Sequence, residues 1–184
     1  MMMPDGAAAG RHPARGGECR PVIVLGIDPG LAATGFGVVA SGGGRLMARD
    51  GGVIATSAQA PPERRLADLH AGVAALLGEH EPVAMAVEGL YFGQNARSAF
   101  AVGQARGVVL LAAGQRGVPT ATYTPQQVKG AVCGSGRADK GQVQRMVQQL
   151  LHLPDPPRSD HAADALAVAI CHANRVPVAA AVAG

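Results

Sequence analysis

The chain has 184 residues, 48% of them hydrophobic, with 16 basic and 13 acidic side chains and a formal net charge of +3. That length and apolar content suit a single α/β domain with a sizeable core. No apolar run reaches the ~20 residues of a membrane span, the first twenty residues lack the apolar segment of a secretory signal, and three cysteines without CxxC spacing (Cys19, Cys133, Cys171) indicate neither a disulfide framework nor a zinc site.

A soluble, cytoplasmic protein with no membrane association is therefore expected. Residues 1–20, rich in Gly, Ala, Pro and Arg, are expected to form a disordered leader. A single domain over 21–174 and a flexible tail over 175–184 complete the expected organisation. Val22 to Asp28 is a continuous apolar run ending on one carboxylate, followed at once by Pro29 and Gly30. Such a run marks a central strand buried on both faces, and a carboxylate at its end needs a positive partner. Gly35–Ala40 and Arg45–Ala55 follow at hairpin spacing, with the SGGG of 41–44 as the turn, so three antiparallel strands open the fold.

After Pro61 and Pro62, Leu66, Leu69, Val73, Leu76 and Leu77 lie on one stripe of an amphipathic helix. Residues 83–87 form a short buried strand that ends on a second carboxylate, Glu88. A right-handed crossover places this strand parallel to an earlier one. If that neighbour is the first strand, Asp28 and Glu88 meet at the carboxyl edge of the sheet, where α/β sheets put their sites. Residues 95–114 form a second helix with Gly103 and Gly107 four apart, a spacing that serves either packing on its own sheet or a helix-to-helix dimer seam. A last strand lies within 118–125, a short helix follows, and Val143, Met146, Val147, Leu150 and Leu151 stripe the next.

The final helix starts after Ser159, which is placed to cap it. At about 100° per residue, Asp164 projects about 40° from Asp160 and about 60° from His161, so all three share a face. Asp28, Glu88, His161 and Asp164 thus form a candidate set of three carboxylates and one imidazole. Crowded carboxylates are driven towards protonation unless cations neutralise them. Hard oxygen donors with one nitrogen suit Mg2+ or Mn2+, and the imidazole favours Mn2+. Two such ions can activate a water and stabilise the leaving oxygen of a phosphodiester.

Charge distribution points to a polyanion. No acidic residue lies between Glu88 and Asp139, whereas Arg97, Arg106, Arg116, Lys129 and Arg137 do. Only two of the 16 basic residues are lysine, Lys129 and Lys140, both in or beside this interval. The compact ammonium differs from the flat guanidinium fork. Five aromatics occur in all, and two of them, Tyr91 and Phe92, sit just after Glu88. They serve either to anchor the strand end or to stack on a base.

Taken motif by motif, the chain resembles the RuvC family of Holliday junction resolvases, within the ribonuclease H-like nucleases. GIDPGLAATGFGVV resembles the first metal-binding strand, and AVEGLYFGQNARSAFAVGQARGVVLLAA the second motif and dimer helix. YTPQQVKGAVCGSGRADKGQVQRMV resembles the lysine-bearing segment, and DHAADALAVAICH the last catalytic helix. The resemblance implies a ribonuclease H-like fold: a mixed five-stranded sheet, three antiparallel opening strands, and helices on both faces. It further implies two divalent ions, Mg2+ or Mn2+, held by Asp28, Glu88, His161 and Asp164, with Asp160 an alternative to His161. Lys129 and Lys140 would lie near the scissile phosphate, Tyr91 or Phe92 would stack on junction bases, and Asn95, Arg97 and Arg137 would contact DNA. The implied protein is a homodimer that cuts four-way DNA junctions by paired symmetric nicks and works with a branch-migration complex of the RuvA and RuvB type. The competing readings are an actin-like ATP-binding module and a related nuclease acting on RNA.

Overall fold

In the computed structural model the described residues are 20–89 and 96–175, with the side chains of 96–98 excepted. The expected leader and tail, Cys19, Tyr91, Phe92 and Asn95 lie outside them, as does the side chain of Arg97. Five strands form one mixed sheet: β1 (Val22–Asp28), β2 (Ala33–Gly42), β3 (Arg45–Ala55), β4 (Ala84–Glu88) and β5 (Thr120–Tyr123). Their order is β3-β2-β1-β4-β5. The first three strands are antiparallel, while β1 with β4 and β4 with β5 run parallel.

The β2–β3 turn is tighter than expected. Ser41 and Gly42 stay in the ladder opposite Leu46 and Arg45, and Gly43 and Gly44 alone make the turn, at φ 58° and 75°. Two consecutive left-handed residues match the twist of a hairpin, and glycine adopts them without a Cβ penalty.

Strand alternation decides which face each side chain meets. Leu25, Ile27, Met85 and Val87 pack against α1 (Pro62–His80) and α2 (Ala96–Gln115), where Leu69, Val73, Leu77, Ala105, Val109 and Ala113 close one core. Val22, Val24 and Ala86 face α5 (Asp160–Ala173), flanked by α3 (Pro125–Cys133) and α4 (Lys140–Leu150). Asp28 and Glu88 continue the second series, Asp28 in phase with Val22 and Val24, Glu88 with Ala86. Both therefore belong to the face covered by α5. Helices on both faces of the sheet agree with the expected architecture.

Ten of the fourteen residues of α5 are buried, and the helix lies against β1 and β2 closely enough to exclude side chains between them. A Cβ on Gly35 would stand 2.9 Å from the Cβ of His161 and closer still to its carbonyl; one on Gly26 would stand 2.9 Å from the Cβ of Ala169. Glycine is what allows the helix start to reach the strand ends. Ser159 occupies the cap position of α5, yet its side chain makes no capping bond, contrary to expectation. Full capping boxes start α3 (Thr124 with Gln127) and α4 (Asp139 with Gln142) instead.

On α2 the two glycines do not pack against the sheet. Ala105, Val109, Ala112 and Ala113 are the buried residues there, whereas a Cβ on Gly103, Gly107 or Gly114 would meet nothing within 4 Å. Among the described residues no helix is long and apolar enough to cross a membrane. Cys133 and Cys171 are free thiols, half-buried and buried.

Candidate active site

Parallel register aligns Ile27 with Val87, so Asp28 and Glu88 follow at the same edge of the sheet. The N-terminus of α5 closes over that edge: His161 Nδ1 lies 2.7 Å from Asp28 Oδ2. Asp164, one turn further along, is close enough to both strand-end carboxylates to alter Glu88 and to be altered by Asp28. The four donors singled out in the sequence therefore occupy one neighbourhood.

Their mutual repulsion is large. Burial, then the charges of Asp28 and Asp164, raise the Glu88 pKa to about 8, helped by a hydrogen bond with Asp28 and opposed by Lys129. Burial and the Asp28 charge raise Asp164 too, against the pull of Lys140. This is the behaviour of like charges sharing a desolvated space, which is relieved either by a proton or by a cation. Among the described residues, no three acidic or histidine side chains already converge as a ready-made cage. His161 is paired with Asp28, and Lys140 with Asp160 and, more distantly, Asp164. The donor set nevertheless fits divalent ions: hard oxygens, one imidazole, and more negative charge than the fold neutralises by itself.

The two lysines flank this edge. Lys140 Nζ lies 2.9 Å from Asp160 Oδ2 and 4.0 Å from Asp164 Oδ2. Its pKa is raised, first by the Asp160 hydrogen bond. Asp160, exposed, is lowered by the same bond and also accepts from Gln144 Nε2 at 2.7 Å. Asp160 is thus engaged by Lys140 and Gln144 rather than by Asp28. Lys129, on α3, is near enough to Glu88 to pull its pKa down. Arg137 lies elsewhere, with Arg145, Ser135 and Gln149, in a groove of about 470 Å³ beside α4. None of Asp28, Glu88, His161 and Asp164 lines that groove.

One participant escaped the sequence reading except as a charge. Arg106 donates from Nη1 to the Glu88 carbonyl at 2.9 Å and from Nη2 to Thr122 Oγ1 at 2.7 Å. Its acceptors come from β4 and β5, and no local pattern announces such a pairing.

Comparison with known proteins agrees with this architecture. Residues 24–172 match the family described as Crossover junction endodeoxyribonuclease RuvC. The RuvC of Moorella thermoacetica is 53% identical over 156 residues, covering 85% of this chain and 93% of its own. That of Thermomicrobium roseum is 54% identical over 149 residues, covering 81% and 91%. Thermus thermophilus RuvC, solved in complex with a Holliday junction substrate, superposes with a TM-score of 0.79 at 44% identity, over 83% of this chain and 93% of that one. The yeast mitochondrial resolvase Ydc2 shares the fold at 13% identity, with a TM-score of 0.59 and coverage of 83% and 79%. The chain belongs to the RuvC family of crossover junction endodeoxyribonucleases, divalent-metal-dependent hydrolases of DNA.

Proposed function

We propose that the edge formed by Asp28, Glu88, His161 and Asp164 is the phosphodiester-cleaving centre of a homodimeric enzyme that resolves four-way DNA junctions. The observation that carries this reading is that β1, β4 and α5 bring three carboxylates and an imidazole to one strand edge, where His161 pairs with Asp28 and where burial and its neighbours' charge push the Glu88 pKa up to about 8. The four side chains would hold two Mg2+ or Mn2+ ions, which supply an activated water and charge stabilisation for the leaving oxygen. Ionised Glu88 and Asp164 present oxygens to that centre. His161 holds Asp28 in place, and Lys129 and Lys140 meet the phosphate flanking the cut as point charges. Lys140 exchanges its contact with Asp160 for that phosphate.

Tyr91 or Phe92 stacks on a junction base, while Asn95, Arg97 and Arg137 contact the DNA backbone. The open face of α2 is the dimer seam, with Phe100 69% and Leu111 54% exposed beside glycines that meet nothing. A two-fold enzyme suits a junction with a matching axis, each subunit nicking one strand. RuvA and RuvB type proteins would deliver the junction. The Thermus relative solved with a Holliday junction supports this substrate for the present chain.

The test is cleavage of an end-labelled synthetic four-way junction with Mn2+ or Mg2+, beside linear duplex and single-stranded RNA, by the wild type and Asp28→Asn. Paired symmetric nicks in the junction alone, lost in the variant, are expected. Binding without cutting under either metal would remove the catalytic assignment.

A further inference from the structure

We infer that Arg106 is a positioning residue for the cleavage centre: anchored on α2, its guanidinium sets where the end of β4 presents Glu88. The inference rests on the reading of the carboxylate edge as the metal-bearing centre.

Glu88 is the last residue of β4, and its ladder partner Tyr123 is the last of β5. Beyond this pair, among the described residues, one backbone bond continues, from Gly89 N–H to the Tyr123 carbonyl at 2.7 Å. β5 has four residues and forms the sheet edge, and the register of β4 with β1 ends one residue earlier, at Val87, so at the Glu88 terminus further support is left to side chains. Arg106 provides it from the opposite layer. Its planar fork gives one N–H to the Glu88 carbonyl (2.9 Å) and another to the Thr122 hydroxyl (2.7 Å), tying β4 to β5 where both stop.

The helix that carries Arg106 is held in place, because Ala105 and Val109, on either side along α2, are fully buried against the sheet. Among the described residues no carboxylate pairs with Arg106, so both bonds go to neutral acceptors. Alternation sends the Glu88 side chain towards α5 while Thr122 faces α2. The arginine therefore holds the strand from behind, without entering the catalytic face. A lysine would keep the charge but not the planar fork that meets the two acceptors. Ligand groups must be held within about 0.5 Å of productive geometry, so loosening this strand end acts on cleavage before it acts on DNA binding.

The experiment compares Arg106→Gln, Arg106→Lys, Thr122→Val and Asp28→Asn with the wild type, as the full chain. Three quantities are measured: single-turnover junction cleavage, junction affinity against salt without divalent ion, and the rise in melting temperature on adding Mn2+. Arg106→Gln is expected to slow cleavage by about tenfold or more and to raise the Mn2+ concentration needed for half the thermal rise several-fold, as losing a ligand-orienting partner does. Its junction affinity and salt slope stay those of the wild type. Arg106→Lys fails to restore the rate, and Thr122→Val, which leaves every charge in place, shows a smaller loss of the same kind.

A fall in junction affinity with a shallower salt slope and an unchanged Mn2+ response would make Arg106 a phosphate contact and overturn the inference. Wild-type rate and Mn2+ response in both Arg106→Gln and Thr122→Val would overturn it too. If Arg106→Gln does not fold, Thr122→Val decides alone. A wild type without any Mn2+ response, or an Asp28→Asn variant that keeps it, would remove the underlying metal-centre reading; loss confined to Asp28→Asn would leave that reading standing and sink this one.

Discussion

His161 Nδ1 and Asp28 Oδ2 stand 2.7 Å apart, joining residues separated by 133 positions. The imidazole is half exposed and the carboxylate only 17% so, which places the histidine on the solvent side of the pair. Donation from Nδ1 to the carboxylate leaves the Nε2 lone pair as the nitrogen able to ligate. A nitrogen donor suits Mn2+ better than Mg2+. The wild type is therefore expected to cleave faster with Mn2+, and His161→Asp to narrow or reverse the ratio, measured as single-turnover rates at saturating metal. Equal wild-type rates with both metals would count against the nitrogen ligand.

Asp160 and Asp164 make different contacts although they share a helical face. Asp160 is bonded to Lys140 and Gln144, whereas Asp164 sits 4.0 Å from the same lysine and is buried towards Asp28. Asp160→Asn should keep cleavage within about fivefold of the wild type, as exposed ion pairs contribute little. It should also tighten junction binding slightly, because Lys140 is freed for phosphate. Asp164→Asn should lose on the order of 100-fold or more, since in the proposed centre Asp164 would hold a metal ion. Comparable losses in the two variants would show that Asp160 shares the metal-binding role.

Much of this site was legible because its determinants are local. An apolar run stopped by Asp28, a second stopped by Glu88, and the 100° arithmetic of α5 each placed a donor, and the crossover rule brought the two strand ends together on the condition that the second strand lies beside the first. The sheet order agrees with that placement. What stayed illegible depends on partners from other elements. Nothing near Arg106 announces that its guanidinium spans β4 and β5, and nothing near Asp160 announces Lys140, twenty residues earlier, as its partner. The glycines of α2 left two packing modes open until the layer on the other side of the helix was known. Ser159 has the right residue type for a cap, yet its side chain makes no capping bond.

Glu88 makes the metal-free protein sensitive to alkali. Its carboxyl loses a proton near 4.5 when unfolded but holds it to about 8 when folded, chiefly through burial and then through Asp28. Between those values the unfolded state binds fewer protons, so stability falls as pH rises and levels off above about 8. A tenfold change in proton affinity corresponds to about 1.4 kcal/mol, so the whole effect comes to at most a few kcal/mol. Glu88→Gln should therefore melt at a higher temperature than the wild type without metal, with the gap widening from pH 5 to pH 8. In the proposed centre Mn2+ would act in the opposite sense, because it would bind the ionised form and its stabilising effect would grow with pH. Thermal melts across this range, with and without Mn2+, check both slopes. A gap independent of pH would mean that Glu88 titrates normally.

The open face of α2 can be tested without touching the core. Phe100, Gly103, Gly107, Leu111 and Gly114 fall within about 80° of one another around the helix, and the buried residues of α2 lie on its other side. Leu111 is 54% exposed and contributes little to its own subunit, so Leu111→Arg should change subunit stability by no more than about 0.5 kcal/mol. At a two-fold seam the same substitution brings two guanidiniums together and buries them without partners, a cost of several kcal/mol. The variant is expected to sediment at half the wild-type mass at micromolar concentration. It should still present an intact carboxylate edge, with an unchanged Mn2+-induced thermal shift, yet yield few paired nicks in a four-way junction. A Leu111→Arg protein that keeps the wild-type mass and paired nicking would place the dimer contact on another surface.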